Sequence, residues 1–305
     1  MGDPPKDASH LREHLALHQL WLDKAAGGVR ADLTGATLTD LNLEGVNLRE
    51  AILCDTRFID TNLSSADLSG ADLTNSDLRR ANLMGADLSG ANLTNAGFQF
   101  ALLGGVYFVE AQIVGTRFDK ANMRDTRLFE SRLVGAHFTD ANLSGAFFNR
   151  CAIIECNFAG ADLTGATLLR ARLQACRFNQ AHADTADFSL VSAPNTDFGG
   201  VQFESVKFYQ ADLSRANFFR ASLSGCNFTE AVLSFADFSL ASLMSSRFNG
   251  ANLTTSDLTS AILTGVRELT IQQLGAARTA AGTTLPNGTS GPYRRGSGAE
   301  RPVTR

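Results

Sequence analysis

Between Ala66 and Asn95 the chain reads ADLSG-ADLTN-SDLRR-ANLMG-ADLSG-ANLTN. A small residue, then Asp or Asn, then Leu recurs every five residues, and the beat runs unbroken from Ala31 to about Gly265. Its centre falls at residue numbers ending in 3 and 8, giving 47 positions from Leu33 to Leu263. Of these, 45 are Leu, Phe, Ile or Met, and Ala183 and Ala193 are the exceptions. Two residues earlier stands Ala, Ser, Thr, Val or Cys, except at Leu41. Fixed self-similarity at so short a period belongs to stacked repeats.

That period excludes the ordinary elements. An α-helix turns about 100° per residue, so apolar side chains five apart scatter around its axis. In an extended strand, residues an odd number apart point to opposite faces. The central side chains share one interior only if the chain turns a corner every five residues. Four corners close a square coil of about twenty residues, and such coils stack at the inter-strand spacing of about 4.8 Å. The expectation is an all-β solenoid over residues 31–266, a quadrilateral parallel β-helix of nearly twelve coils forming a rod of roughly 55 Å. Stacking satisfies the backbone polar groups from one coil to the next.

The sixteen Phe residues of the central column support this shape. All but Phe203 have numbers ending in 8, so they recur at ten residues or its multiples. In a square coil that means two facing walls, with Leu filling the other two. Such sorting fills a narrow interior without overpacking it.

On these residues the chain resembles the pentapeptide-repeat proteins, from about Ala31 to Val266. The stretch from Leu269 to Pro286 is similar to the closing segment of many bacterial members. The resemblance implies a right-handed coil and a varied set of functions. Some members imitate duplex DNA in width and charge, bind DNA gyrase or topoisomerase IV, and protect them from inhibitors, a form of antibiotic resistance.

Apolar residues make up 44% of the chain, and no apolar run approaches the roughly 18 residues of a membrane span. No charged-then-apolar segment opens it, so a cytoplasmic protein without a membrane partner is expected. The net charge of −4 is unevenly spread. Residues 31–265 hold 25 Asp and Glu against 17 Lys and Arg, whereas residues 266–305 hold 2 against 6. An acidic repeat region is unsuited to binding nucleic acid directly. Cys151, Cys156, Cys176 and Cys226 stand in the small-residue column, where Cys substitutes for Ala. Cys156 and Cys176 fall in adjacent coils, but no CxxC spacing marks a disulfide or metal site.

The ends read differently. Residues 1–30 hold a disordered start, residues 1–8, and then an amphipathic helix from Ser9 to Ala26, with Asp7 or Ser9 as N-cap and Gly27-Gly28 as its end. Its Leu11, Leu15, Trp21 and Leu22 are placed to cover the open edge of the first coil, as solenoid ends require. His10, His14 and His18 recur every four residues along it. The spacing suits a metal, but a solvated helix face is the simpler account, and no cofactor is expected. Beyond the repeats, Thr270 caps a short helix from Ile271 to about Ala280 in a closing segment, residues 267–286, and residues 287–305 read as a mobile basic tail. Within the repeats, Ala183 and Ala193 thin the core, Pro194 lacks a ladder donor, and Phe203 stands one coil beyond Ala183. A bend or loosened coil is expected over residues 181–200.

No motif for chemistry is present: neither a phosphate-cradling Gly loop, nor a nucleophile elbow, nor zinc spacing. A filled square coil also leaves no interior pocket. The chain therefore reads as a non-enzymatic interaction module. Sorted by twenty, the outward residues Tyr107, Arg127, Phe147 and Lys207 fall in one column, with Val109, Phe129, Leu169 and Tyr209 beside them. Aromatic residues mixed with Arg are what interface centres contain. This wall is the candidate docking site for another protein, on a monomer or an end-to-end homodimer; bulky residues lying on the chain's own surface are the competing account. The DNA-mimic alternative rests on the outward Asp67, Asp72, Asp77 and Asp87, with DNA gyrase or topoisomerase IV as partner. Against it, the same column turns partly basic from Arg117 onward, through Arg132, Arg172 and Arg177.

Overall fold

A computed structural model of the chain describes residues 8–302. The expectations placed on residues 1–7, including Asp7 as N-cap, lie outside the described residues. The chain divides into two compact units, Met1–Phe147 and Phe148–Arg305.

One pattern repeats in both. The small residue points inward, the next bridges residues twenty away, the central Leu or Phe points inward again, and two residues turn a corner. The residue numbered in 0 or 5 is left-handed, with φ of 70° at Gly35 and 58° at Asn75. Gly and Asn tolerate that region best, because Gly has no Cβ and Asn a short polar side chain.

Four of the five backbone N–H groups in a repeat enter the backbone network. In the repeat from Ala71 to Asn75, Asp72 donates to Ala51 at 2.9 Å, Leu73 to Asn92 at 2.8 Å and Asn75 to Thr94 at 2.9 Å. Ala71 closes the previous turn on Leu68 at 3.0 Å. The fifth N–H, that of Thr74, goes to the side chain of Asp72 at 3.1 Å. This is an Asx turn, and it explains why Asp or Asn precedes the central Leu so often. Each unit is thereby built as right-handed quadrilateral parallel β-helix.

On one wall of each unit the corner flattens into short strands. In the first unit β1 (Gln112–Val114) pairs in parallel with β2 (Arg132–Val134). In the second, β3 (Ala152–Ile154) pairs with β4 (Arg172–Gln174). Val114, Val134 and Ile154 are β-branched, which favours extended backbone.

The core is the Phe ladder with its Leu complement. In the second unit Phe178, Phe198, Phe218 and Phe238 stack face to face at 4.9–5.0 Å, one per coil. Phe208, Phe228 and Phe248 stack opposite them at 5.1 Å. Across the interior the two columns meet edge to face, as at Phe218 and Phe228. Both geometries suit the aromatic quadrupole, and burying each ring contributes about 1.5–3 kcal/mol.

The loosening expected over residues 181–200 does not interrupt the ladder. Arg177 pairs with Asp197 and His182 with Gln202, although the bonds from Ala183 to Gln202 and from Gln180 to Gly199 lengthen to 3.3 and 3.4 Å. Pro194 is tolerated because it occupies the position after the centre, whose N–H the backbone ladder of the corner repeats does not use. Phe203 is buried against Phe188, Phe198 and Phe208, with ring centroids 5.9–6.3 Å away.

At the N-terminus α1 spans Ala8–Leu22, ending before the expected Ala26. Lys24 turns left-handed at φ 55°, and Ala25 and Lys24 donate back to Leu20 and Trp21 at 2.8 and 3.0 Å. That Schellman turn stops the helix before Gly27 is reached. His18, expected on a solvated face, is fully buried. Its Nδ1 accepts the N–H of Ala31 at 3.0 Å, and its ring stacks on Trp21 at 5.5 Å. Ala31 lacks the preceding repeat that supplies an acceptor to later small residues, so the histidine takes that place.

At the other end α2 spans Ile271–Ala276, with Thr270 and Gln273 forming a capping box. Gln273 Nε2 also donates to the carbonyls of Phe248 and Ala251 at 2.7 and 2.8 Å, tying the helix to the coil below. The ladder then resumes through Arg278 and Thr284, which bridge Asp257 and Ile262. Residues 287–302, expected to be mobile, fold back instead. Leu285 donates to Thr289 at 2.8 Å, Gly291 to Thr283 at 3.0 Å and Asn287 to Ala299 at 3.2 Å, and Ala299 is buried. Gly288, with φ of 83°, permits the reversal.

Candidate functional site

One wall of the first unit carries, coil by coil, Asn47, Asp67, Asp87, Tyr107, Arg127 and Phe147, each bridging the next. The column thus changes from capped Asx residues to aromatic and basic ones within one unit. Tyr107 is 41% exposed, and the Arg127 guanidinium lies over its ring at 4.7 Å. A cation over an aromatic face contributes about 0.5–1 kcal/mol at an exposed site and holds the ring upright. Phe129 and Phe147 touch at 5.6 Å between centroids, and both are half-buried, as is Val109. Tyr107, Arg127, Phe129 and Phe147 therefore pair into two contacts on one unit.

The remaining three residues of the expected wall belong to the second unit. Leu169 and Tyr209 are partly exposed there, and the Leu169 N–H donates to Asn149 at 3.0 Å. Lys207 Nζ lies 3.9 Å from Asp187.

The four acidic candidates stand on three walls. Asp67 bridges Asp87, whereas Asp72 stacks between Ile52 and Asn92, and Asp77 between Arg57 and Gly97. All four serve their own turns. Asp67 accepts from the N–H and hydroxyl of Ser69 at 3.0 and 2.6 Å, and Asp87 from the Ser89 N–H at 2.8 Å. Asp77 holds Arg79 in a bidentate pair at 2.8 and 2.7 Å. Burial alone would raise the Asp72 and Asp77 carboxyls, but hydrogen bonds from Thr74 and Arg79 outweigh it and hold both below the usual range.

Among the described residues no group of His, Cys, Asp and Glu is placed to hold a metal, and no disulfide joins the cysteines. No helix among them is long and apolar enough to cross a membrane. Sequence reasoning missed a set of apolar corner residues. Phe100, Phe235 and Leu240 take left-handed φ of 60–62° and are about half exposed. A bulky residue there costs about 1–2 kcal/mol that Gly would not. The signal was available: numbers ending in 0 or 5 that break the Gly, Asn and Asp preference.

A family model of pentapeptide repeats matches the chain in eight copies over residues 31–128, 131–170 and 196–267. No curated protein matches it. Among solved structures the chain is similar to HetL, a pentapeptide repeat protein involved in heterocyst differentiation regulation from the cyanobacterium Nostoc sp. strain PCC 7120. The identity is 25% over 89% of this chain and 96% of that one, with a TM-score of 0.30. A pentapeptide repeat protein from the Arabidopsis thaliana thylakoid lumen is 31% identical over 30% of this chain and 64% of its own, with a TM-score of 0.30. Full-length QnrB1, a plasmid-mediated fluoroquinolone resistance protein, is 16% identical over 80% of this chain and 93% of its own, with a TM-score of 0.25.

Proposed function

Since the chain belongs to the pentapeptide repeat family, we propose that it is a non-enzymatic interaction module whose first-unit wall of Tyr107, Val109, Arg127, Phe129 and Phe147 docks a partner protein. The observation that carries this reading is the Arg127 guanidinium held over the Tyr107 ring at 4.7 Å. It presents a fixed, exposed aromatic where the two preceding coils carry Asp67 and Asp87. Tyr and Arg dominate the centres of interfaces because they offer large contact area at little entropy cost. Leu169, Lys207 and Tyr209 are a separate, weaker candidate on the second unit. The test is affinity capture from the source cell with the native chain and with Tyr107→Ser, Phe129→Ser and Phe147→Ser combined. A partner held by the native chain is expected to be lost from the triple variant; an unchanged set of captured proteins would discard the wall as a site.

A second reading, DNA mimicry toward DNA gyrase or topoisomerase IV, is favoured by the first unit's charge. It holds 19 Asp and Glu against 13 Lys and Arg, net −6, and Asp67 stacks directly on Asp87. Protection of supercoiling in the presence of an inhibitor supports it, and its absence together with no gyrase binding removes it.

A further inference from the structure

One wall of the second unit collects positive charge. Lys207, Asn227, Arg247 and Arg267 stack in register, each bridging the next, so the column spans three coil steps, or about 14 Å. They line an open cleft of about 390 Å³ together with Gly225 and Ser245, and none of the lining residues is acidic. Lys207, Arg247 and Arg267 are all exposed.

Arg247 and Arg267 are neighbours one coil apart, about 4.8 Å along the stack. Like charges directly opposite on adjacent strands repel. Several other arginines are offset: Arg79 pairs with Asp77, Arg80 with Asp60, Arg117 with Asp119 and Arg278 with Asp257, while Arg127 rests on Tyr107. Among the described residues no carboxylate lies within ion-pair distance of Arg247 or Arg267, and Lys207 reaches only Asp187, at 3.9 Å. The exposed Glu268 adjoins Arg267 in sequence without pairing with it.

The polar groups facing the cleft are donors. Asn227 spends its Oδ1 on the N–H and hydroxyl of Thr229, at 3.1 and 2.6 Å, which leaves its amide NH₂ to face outward. Two guanidiniums, an ammonium, an amide and the Ser245 hydroxyl therefore converge on a space whose floor, at Gly225, carries no side chain. Two guanidiniums this close favour one tetrahedral phosphoryl group over two separate carboxylates. Its three oxygens accept from both forks, and its charge of about −1.5 to −2 offsets both. Asn227 and Lys207 lie one and two coils further from Arg247, placed for a second phosphoryl.

We propose that this cleft binds a multiply phosphorylated ligand, with Arg247 and Arg267 clamping one phosphoryl group and Asn227 and Lys207 holding the next. The site lies on the second unit and does not depend on the Tyr107 wall. Two sources supply this chemistry: a free oligophosphate, or closely spaced phosphoserines of a peptide.

Calorimetric titration of the full chain in about 0.15 M salt, where loose surface attraction is screened, tests it. The probes are sodium tripolyphosphate, a doubly phosphorylated serine peptide, and citrate as a carboxylate of similar charge. Saturable one-to-one binding of tripolyphosphate or of the peptide is expected, with the tighter one naming the source. Arg247→Gln with Arg267→Gln weakens it about tenfold or more. Arg294→Gln with Arg295→Gln removes the same charge elsewhere and leaves it unchanged. Because Arg247 and Arg267 have no ion-pair partner among the described residues, the first double variant keeps its thermal transition, which circular dichroism verifies. No saturation with either phosphorylated probe, equal affinity for citrate, or equal loss in both double variants would overturn the assignment.

Discussion

The imidazole of His18 accepts the backbone N–H of Ala31 at 3.0 Å, which ties α1 to the first residue of the first coil. An acceptor at Nδ1 requires the neutral ring with its proton on Nε2. Burial holds this imidazole below its ordinary range; Arg30 and Arg49 push the same way, against the Arg49 carbonyl and Glu50. The folded chain therefore binds fewer protons at this group than the unfolded chain does. The stability it contributes is present above the unfolded value of about 6.5 and is lost as pH falls below it. The urea midpoint of the native chain is expected to drop between about pH 7.5 and pH 5.5. His18→Asn, whose Oδ1 accepts at any pH, should show a smaller drop. Equal drops in the two chains would show that His18 is not the titrating latch.

Asp72 illustrates what the repeated Asx residue contributes. Replacing it with Ala leaves the N–H of Thr74 without its acceptor and is expected to cost about 1 kcal/mol, as for a lost helix N-cap. Asp72→Asn keeps an acceptor oxygen and should cost less. The native carboxyl sits below its ordinary range, because the Thr74 hydrogen bonds outweigh burial. Its ionic advantage over an amide is therefore present above the unfolded value of about 3.9 and disappears as pH falls through the lower folded value. Urea melts of the native chain and the two variants at neutral and acid pH check both statements. A gap between the native chain and the Asp72→Asn variant that persists at acid pH would contradict the second.

The central column was legible because a period of five admits one solution, and the Phe spacing was legible because facing walls differ by ten residues. Partners that cross between elements were not. His18 sits on a helical pattern that suits solvent equally well, and only the fold shows that Ala31 lacks a backbone acceptor. Pro194 misled for a related reason: its missing N–H matters only if the ladder uses that position. The Tyr107 column could be sorted from residue numbers alone, but the cation over its ring depends on rotamers. Arg267 was overlooked because it follows the last regular repeat, although it still stacks on Arg247.

Ala183 and Phe203 are one coil apart on the same wall, and the larger residue lies against Phe188, Phe198 and Phe208. Ala183→Leu alone is expected to overpack this interior at a cost of about 1–3 kcal/mol. Phe203→Leu alone opens a small void. Together the two exchanges restore the ordinary Leu wall and keep the number of side-chain carbons, so the double variant should be more stable than the sum of the singles by about 0.5 kcal/mol or more. Additive losses in thermal or urea melts would mean that Phe203 does not fill the space beside Ala183.

The docking wall makes a prediction that separates binding from folding. Tyr107 is 41% exposed and its main contact is Arg127, so Tyr107→Ser removes one exposed cation–aromatic pair and little buried area. The expected stability loss is at most about 1 kcal/mol, far below the roughly 3–5 kcal/mol of truncating a core ring such as Phe108 to Ala. If the wall is an interface centre, the same change should weaken partner capture by about tenfold or more, since buried aromatic anchors carry about 2 kcal/mol or more of binding energy. Arg127→Lys keeps the charge but not the planar stacking, and should fall between the two. Melting curves measured beside capture distinguish the cases: a stable Tyr107→Ser chain that binds normally would leave the aromatic column as mere cover for its own coils.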